Sequence, residues 1–153
     1  MIVLYDADCG FCRWATAWAM RRDHHHVLVT LPIQSPLGSE LLVDVVPSDR
    51  LGSAHVVRDD GCRRSGGAAA ANVLSVLPQT RVLGRLARSL PRTTALLYGV
   101  VAARRKSFGR LVDKEARRRA DDLLQALSAT TTADLKVRDG HARRSRRREF
   151  PRS

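Results

Sequence analysis

The stretch Ile2-Val3-Leu4-Tyr5-Asp6-Ala7-Asp8-Cys9-Gly10-Phe11-Cys12 decides how this chain is read. Its first four residues are continuously apolar, which suits a strand buried on both faces rather than a half-exposed one. From Phe11 the apolar positions Phe11, Trp14, Ala15, Trp18 and Ala19 recur at helical spacing, with Arg13, Arg21 and Arg22 off that face. The two cysteines therefore fall where a strand ends and a helix begins. A helix N-terminus carries unpaired N–H groups and about half a positive charge, so it favours thiolate over thiol. Two cysteines around the first helical turn can also close a small disulfide ring. That arrangement suits thiol–disulfide exchange, in which one sulfur attacks and the other resolves.

On this reading Cys9, at the helix mouth, is the candidate nucleophile and Cys12, one turn in, the candidate resolving thiol. Asp6 closes the strand, where a carboxylate suits proton transfer with the resolving thiol. It would also oppose a thiolate at Cys9 through like charge. Capping or turn formation is the alternative for Asp6 and the favoured role for Asp8. Gly10 and Phe11 would set access to Cys9, and Phe11 is equally a core residue. Two other readings of the thiols stay open: zinc binding through the pair, and packing as small apolar residues in a non-catalytic interaction module whose basic tail would meet an anionic partner.

The run His24-His25-His26 invites that metal reading. It lies at the far end of the same helix, about twelve residues or roughly 18 Å beyond Cys12 by helical rise. A solvated turn is the expected role. His55 is read as an ordinary strand residue, Cys62 as a free thiol, and Gly66-Gly67 as a close-packed helix start. This glycine pair lacks the lysine and spacing of a phosphate loop.

Outward from the motif, a second strand is expected at Val27–Leu31, stopped by Pro32. Ser35-Pro36 reads as a cap and first helical position, opening a short helix near 36–44. Residues 47–52 are expected as loop and Ser53–Val57 as a third strand. Asp59-Asp60-Gly61 is a hairpin turn into a fourth strand at Cys62–Ser65. A helix follows to Leu77, ended by Pro78. Further helices are expected at Arg81–Leu90, Thr93–Arg105 and Asp113–Leu127, separated by Pro91 and Gly109. A strand–helix–strand start implies a right-handed parallel crossover, and the hairpin adds an antiparallel edge. This order is that of a thioredoxin-like α/β fold: a small mixed sheet with flanking helices and a C-terminal helical extension.

At 153 residues and 44% apolar content, the chain supports one ordinary core. The expected domain spans residues 1–128, with a disordered basic tail at 129–153. Net charge is +12. Residues 136–153 hold eight basic side chains against Asp139 and Glu149, a net +6, so the tail alone supplies half the excess. With Phe150 as its only aromatic residue and no nucleic-acid module, the tail points to solvation rather than specific nucleic-acid binding. Three cysteines are too few, and odd in number, for a stapled secreted scaffold. No signal peptide is read at the start, and Ala95–Ala103 is too short to span a bilayer. These features favour a cytoplasmic protein with reduced thiols.

The run Tyr5-Asp6-Ala7-Asp8-Cys9-Gly10-Phe11-Cys12, followed by a tryptophan-bearing helix, resembles the signature of the DCC family. These small bacterial proteins are assigned as thiol–disulfide oxidoreductases and named for their Asp, Cys, Cys triplet. Ser53-Ala54-His55-Val56-Val57 and Arg64-Ser65-Gly66-Gly67-Ala68-Ala69 are similar to that family's hairpin and following helix. Tyr98 to Arg105 resembles its closing basic helix. The resemblance covers about residues 1–110. It implies a thioredoxin-like fold, Asp6, Cys9 and Cys12 as functional residues, no cofactor, and protein or small-molecule thiols and disulfides as partners. Gly10 stands where the family usually has proline. Gly52-Ser53 stands where thioredoxins proper carry a proline before the third strand.

Overall fold

Ile2–Tyr5 forms the central strand β1 because it can bury side chains on both faces. In the computed structural model, which describes residues 1–129, β1 pairs in parallel with β2 (Val29–Pro32) and antiparallel with β3 (His55–Val57). Strand β4 (Arg63–Ser65) pairs antiparallel with β3, giving the mixed order β2-β1-β3-β4. Around this sheet lie α1 (Gly10–Met20), α2 (Pro36–Leu41), α3 (Pro47–Arg50), α4 (Gly66–Val76), α5 (Arg81–Ser89) and α6 (Pro91–Leu111). A last helix, α7, runs over residues 114–129. The architecture is the expected α/β thioredoxin-like one, with flanking helices. The basic tail expected at 129–153 lies, apart from its first residue, outside the described residues.

Side-chain alternation along β1 splits the core between the two faces of the sheet. Val3 packs with Ala19, Leu28, Val56, Ala69 and Leu77 under α1 and α4. Leu4, fully buried, points the other way into Leu31, Ile33 and Leu42 beside α2. Tyr5 returns to the first face and meets Ala17 of α1 with Ala120 and Leu124 of α7. Helix α1 is thus enclosed by the sheet and two helices, and its most buried residues are Thr16, Ala17 and Ala19. The expected aromatic stripe sits at the edge of that contact. Phe11 lies 5.8 Å from Phe108 of α6 and 5.9 Å from Trp14, while Arg22 stacks over Trp18.

Several expected boundaries shift. Strand β2 begins two residues late and includes Pro32, which is tolerated because β2 is an edge strand and needs no outward N–H. β3 starts at His55 and β4 at Arg63. The hairpin between them is closed by Arg58 N donating to Cys62 O and by Gly61, whose φ of 76° requires glycine. Residues 47–50 form a helical turn rather than loop, because Pro47 supplies the φ of a first helical position. Pro91 likewise begins α6 instead of preceding it. Gly109 does not end α6: a glycine inside a helix costs only about 1 kcal/mol, and tertiary packing outweighs it. Among the described residues, no helix is long and apolar enough to cross a membrane.

Candidate active site

Parallel pairing of β1 and β2, with Tyr5 opposite Pro32, puts the segments after both strands at one end of the sheet. The Asp6–Cys9 turn and Ile33-Gln34 therefore meet there, the position where open α/β sheets place their sites. Gln34 stitches the turn. Its Oε1 accepts the Ala7 N–H at 3.1 Å, and its Nε2 donates to Asp6 Oδ1 at 2.8 Å and Asp8 Oδ2 at 3.3 Å. Asp6 Oδ1 also accepts the Asp8 N–H at 3.0 Å. From α1, Arg13 donates to Ala7 O at 2.7 Å and lies 2.8 Å from Asp121 of α7, an ion pair without an aligned hydrogen bond.

The cap of α1 corrects one expectation. Cys9, rather than Asp8 or Asp6, is the N-cap residue, and its Sγ accepts the Cys12 N–H at 3.3 Å. Asp8 stands one residue too early to reach that N–H, while Asp6 shapes the preceding turn. Cys9 Sγ, Cys12 Sγ and an Asp6 carboxylate oxygen all lie within 4.8 Å of one another. The three residues singled out in the sequence thus converge. They are also the one cluster of potential metal ligands among the described residues, and no histidine joins it.

The two thiols differ in surroundings. Cys9 lines a cleft of about 380 Å³, with Asp6, Asp8 and Phe11 on its own side and Arg105, Lys106 and Arg110 of α6 and Arg117 of α7 opposite. Cys12 does not line it. Burial pushes the Cys12 thiol up to about 12, reinforced by its hydrogen bond with Cys9, the charge there and Asp6, with Arg105 opposing. The α6 wall comes close because Gly109 passes Phe11: a Cβ at Gly109 would stand 3.4 Å from the Phe11 backbone nitrogen.

Tyr98, also on α6, backs the site. Its hydroxyl accepts the Ala54 N–H at 2.7 Å, just before β3. Burial raises its pKa, and the Cys12 charge adds to that shift. Arg105 donates to Leu51 O on the same segment. Sequence spacing singles out none of Gln34, Tyr98, Arg105, Lys106, Arg110 and Arg117 as site residues. Gln34 had a readable signal, a polar side chain two residues beyond the second parallel strand. The others depend on where α6 and α7 dock.

The remaining candidates lie apart from this cluster. His24–His26 form a turn after α1, where buried Asp23 accepts the Val27 and Leu28 N–H groups. His55 is 1% exposed. Its Nε2 lies 3.0 Å from Arg50 O, and a carbonyl can only accept, so Nε2 carries the proton and Nδ1 accepts from Ser65 Oγ at 2.8 Å. Burial lowers its pKa and keeps it neutral. It is a structural strand residue, as expected. Cys62 is an exposed free thiol on the hairpin.

A family model described as DCC1-like thiol-disulfide oxidoreductase matches residues 3–111. No curated protein and no solved structure matches the chain. The matched span contains the sheet apart from Ile2, the Asp6–Cys12 motif and α6, and stops short of α7. The chain belongs to the DCC1-like thiol-disulfide oxidoreductase family.

Proposed function

We propose that this protein exchanges thiols and disulfides through Cys9 and Cys12, with Asp6 handling the proton. The observation behind the reading is the asymmetry of the pair: Cys9 sits at the helix N-cap facing an open cleft, and Cys12 sits behind it with a thiol pushed up to about 12. In the reducing direction, the Cys9 thiolate attacks one sulfur of a disulfide R–S–S–R. The new Cys9–S–R bond forms as the old S–S bond breaks and one R–S⁻ leaves. Forming that bond removes the charge at Cys9, one of the contributions that raises Cys12. Cys12 then releases its proton toward Asp6, whose carboxylate lies within 4.8 Å, a span suited to a one-water relay. Its thiolate attacks the Cys9 sulfur and expels the second R–S⁻. The protein dithiol is oxidised by two electrons and the substrate reduced by two, with no cofactor needed; an external dithiol resets the enzyme.

The odd cysteine count and exposed Cys62 thiol fit a reducing compartment, the cytoplasm. The exchange unit on this reading is residues 1–128, and the basic tail stands outside it. Trapping is the direct test. Cys12→Ser should accumulate mixed disulfides through Cys9 in an oxidised extract, and Cys9→Ser should not. A Cys12→Ser protein whose Cys9 remains unmodified under those conditions would overturn the reading, whatever happens at Cys62.

A second reading has one specific observation in its favour. Asp6, Cys9 and Cys12 present three donors within 4.8 Å of one another, and zinc accepts a carboxylate and two thiolates. The cations along the α6 side of the cleft weigh against a bound dication there. Elemental analysis of untagged protein decides: stoichiometric zinc lost in Cys9→Ser supports a metal centre, and metal-free protein supports exchange.

A further inference from the structure

The cleft at Cys9 is unequally charged. Arg105, Lys106 and Arg110 project from α6 and Arg117 from α7, against Asp6 and Asp8 on the thiol side. The two acids are already engaged, since both accept from Gln34 and Asp6 also accepts the Asp8 N–H. Among the described residues, no acid forms an ion pair with Lys106, Arg110 or Arg117. Arg117 also keeps a buried Nε without a hydrogen-bond partner. Unpaired cations grouped on one wall raise the local concentration of anions. Guanidinium groups are also suited to carboxylates, which they meet in a two-pronged fork.

The volume narrows the class of ligand. About 380 Å³ is enough for a small molecule or one arm of it, near the lower end of ordinary ligand pockets. The reacting sulfur and the cationic wall line the same cleft, so a ligand can place a sulfur at Cys9 and an acid group on α6 together. We infer that the site selects small disulfides carrying carboxylates close to the sulfur, with Arg110 and Lys106 as specificity-determining side chains and Arg117 as a further anchor. This rests on the exchange reading above. The steps are those already written, R–S⁻ being a carboxylate-bearing thiolate that leaves along the basic wall. Arg117 lies beyond the family-matched residues 3–111, so this part of the selectivity belongs to the chain's own extension.

Three disulfides of one skeleton test the inference: 3,3′-dithiodipropionate, bis(2-hydroxyethyl) disulfide and cystamine. Their two-carbon arms end in a carboxylate, a hydroxyl and an ammonium. The second-order rate constant of the full-length reduced protein is measured with each and divided by that of free dithiothreitol, which removes intrinsic reactivity. The expected order is anionic, neutral, cationic, with the outer pair separated by on the order of tenfold or more at low salt. Raising ionic strength should narrow that spread, since a Debye length near 10 Å at 0.1 M screens exposed charges. The double substitution Lys106→Glu with Arg110→Glu, both at exposed positions, should collapse or invert the ratio. A wild-type spread equal to that of dithiothreitol would overturn the inference while leaving exchange standing. So would a spread insensitive to both salt and charge reversal. Failure to react with any of the three, the neutral one included, would overturn the exchange reading and the selectivity with it. Oxidised glutathione serves as the larger anionic arm. Rapid reaction with dithiodipropionate but not with glutathione would confine the site to small acids and still support it.

Discussion

The sheet and the helical pair α5–α6 treat apolar side chains in opposite ways. Leu4 and Leu42 are 0% exposed and Val56 1%, whereas Val82 is 78%, Leu96 73% and Leu111 80% exposed. The pair is held through close backbone approach rather than through its large side chains. A Cβ at Gly84 of α5 would stand 2.3 Å from the Ser75 nitrogen of α4, and one at Gly67 of α4 3.0 Å from Thr94 O of α6. The contrast separates two tasks. The sheet end supplies stability and the candidate thiols Cys9 and Cys12. The helical pair adds little apolar burial, yet α6 supplies Tyr98, Arg105, Lys106 and Arg110 to the site.

Four outcomes would break or sharpen that division. The largest concerns chemistry: Cys9→Ser should abolish exchange while leaving the thermal midpoint within a few degrees, because a half-exposed N-cap sulfur is not a core group. Exchange that persists would place the reaction at another thiol, with Cys62 the first to check. Next, in urea titrations, Leu4→Ala should cost about 3–5 kcal/mol through its cavity, and Leu96→Ala less than about 0.5 kcal/mol. Equal losses would erase the difference between the two regions.

Gly84→Ala is expected between those limits, at about 1–3 kcal/mol, because a methyl group must push α5 off the α4 backbone. Its exchange rate should fall more than its stability suggests, since α5 leads directly into the helix that walls the cleft. An unchanged rate would show that α6 docks independently of α5. The last effect is confined to alkaline pH. Cys12 has a folded pKa raised from 9.0 to about 12, so the folded state binds that proton more tightly. Its contribution is fully present below pH 9 and declines as pH rises toward 12, where the folded thiol also ionises. Wild-type stability should therefore fall across that window more steeply than that of Cys12→Ser. Parallel curves would mean that the thiol is no more buried than in the unfolded chain.

Much of the fold was legible because its signals are local. Continuous apolar residues at 2–5 mark a strand buried on both faces, and the Asp59-Asp60-Gly61 turn marks a hairpin. Both appear where expected, within two residues. The departures share a cause: neighbours from distant sequence overruled a local tendency. Pro32 stays in a strand because that strand lies on an edge, and Gly109 stays in a helix because α6 continues past Phe11. The Phe11–Trp14–Trp18 stripe reads as the buried face of α1. Of that face Ala19 is buried and Trp18 packs beside it, while packing against the sheet and α7 also buries Thr16 and Ala17, which lie off the expected stripe.

For the site, the covalent chain alone brought Asp6, Cys9 and Cys12 together, since residues three apart cannot separate far at a strand–helix junction. Which sulfur lines the cleft, which lies behind it, and what charge faces Cys9 were decided only by docking. Gln34 reaches Asp6 across 28 positions of sequence, and Arg105 and Arg117 arrive from helices roughly a hundred residues downstream. No spacing rule encodes such encounters, because they depend on how β1 and β2 align and where α6 and α7 come to rest. Proximity along the chain set the chemistry available; packing set the environment in which it acts.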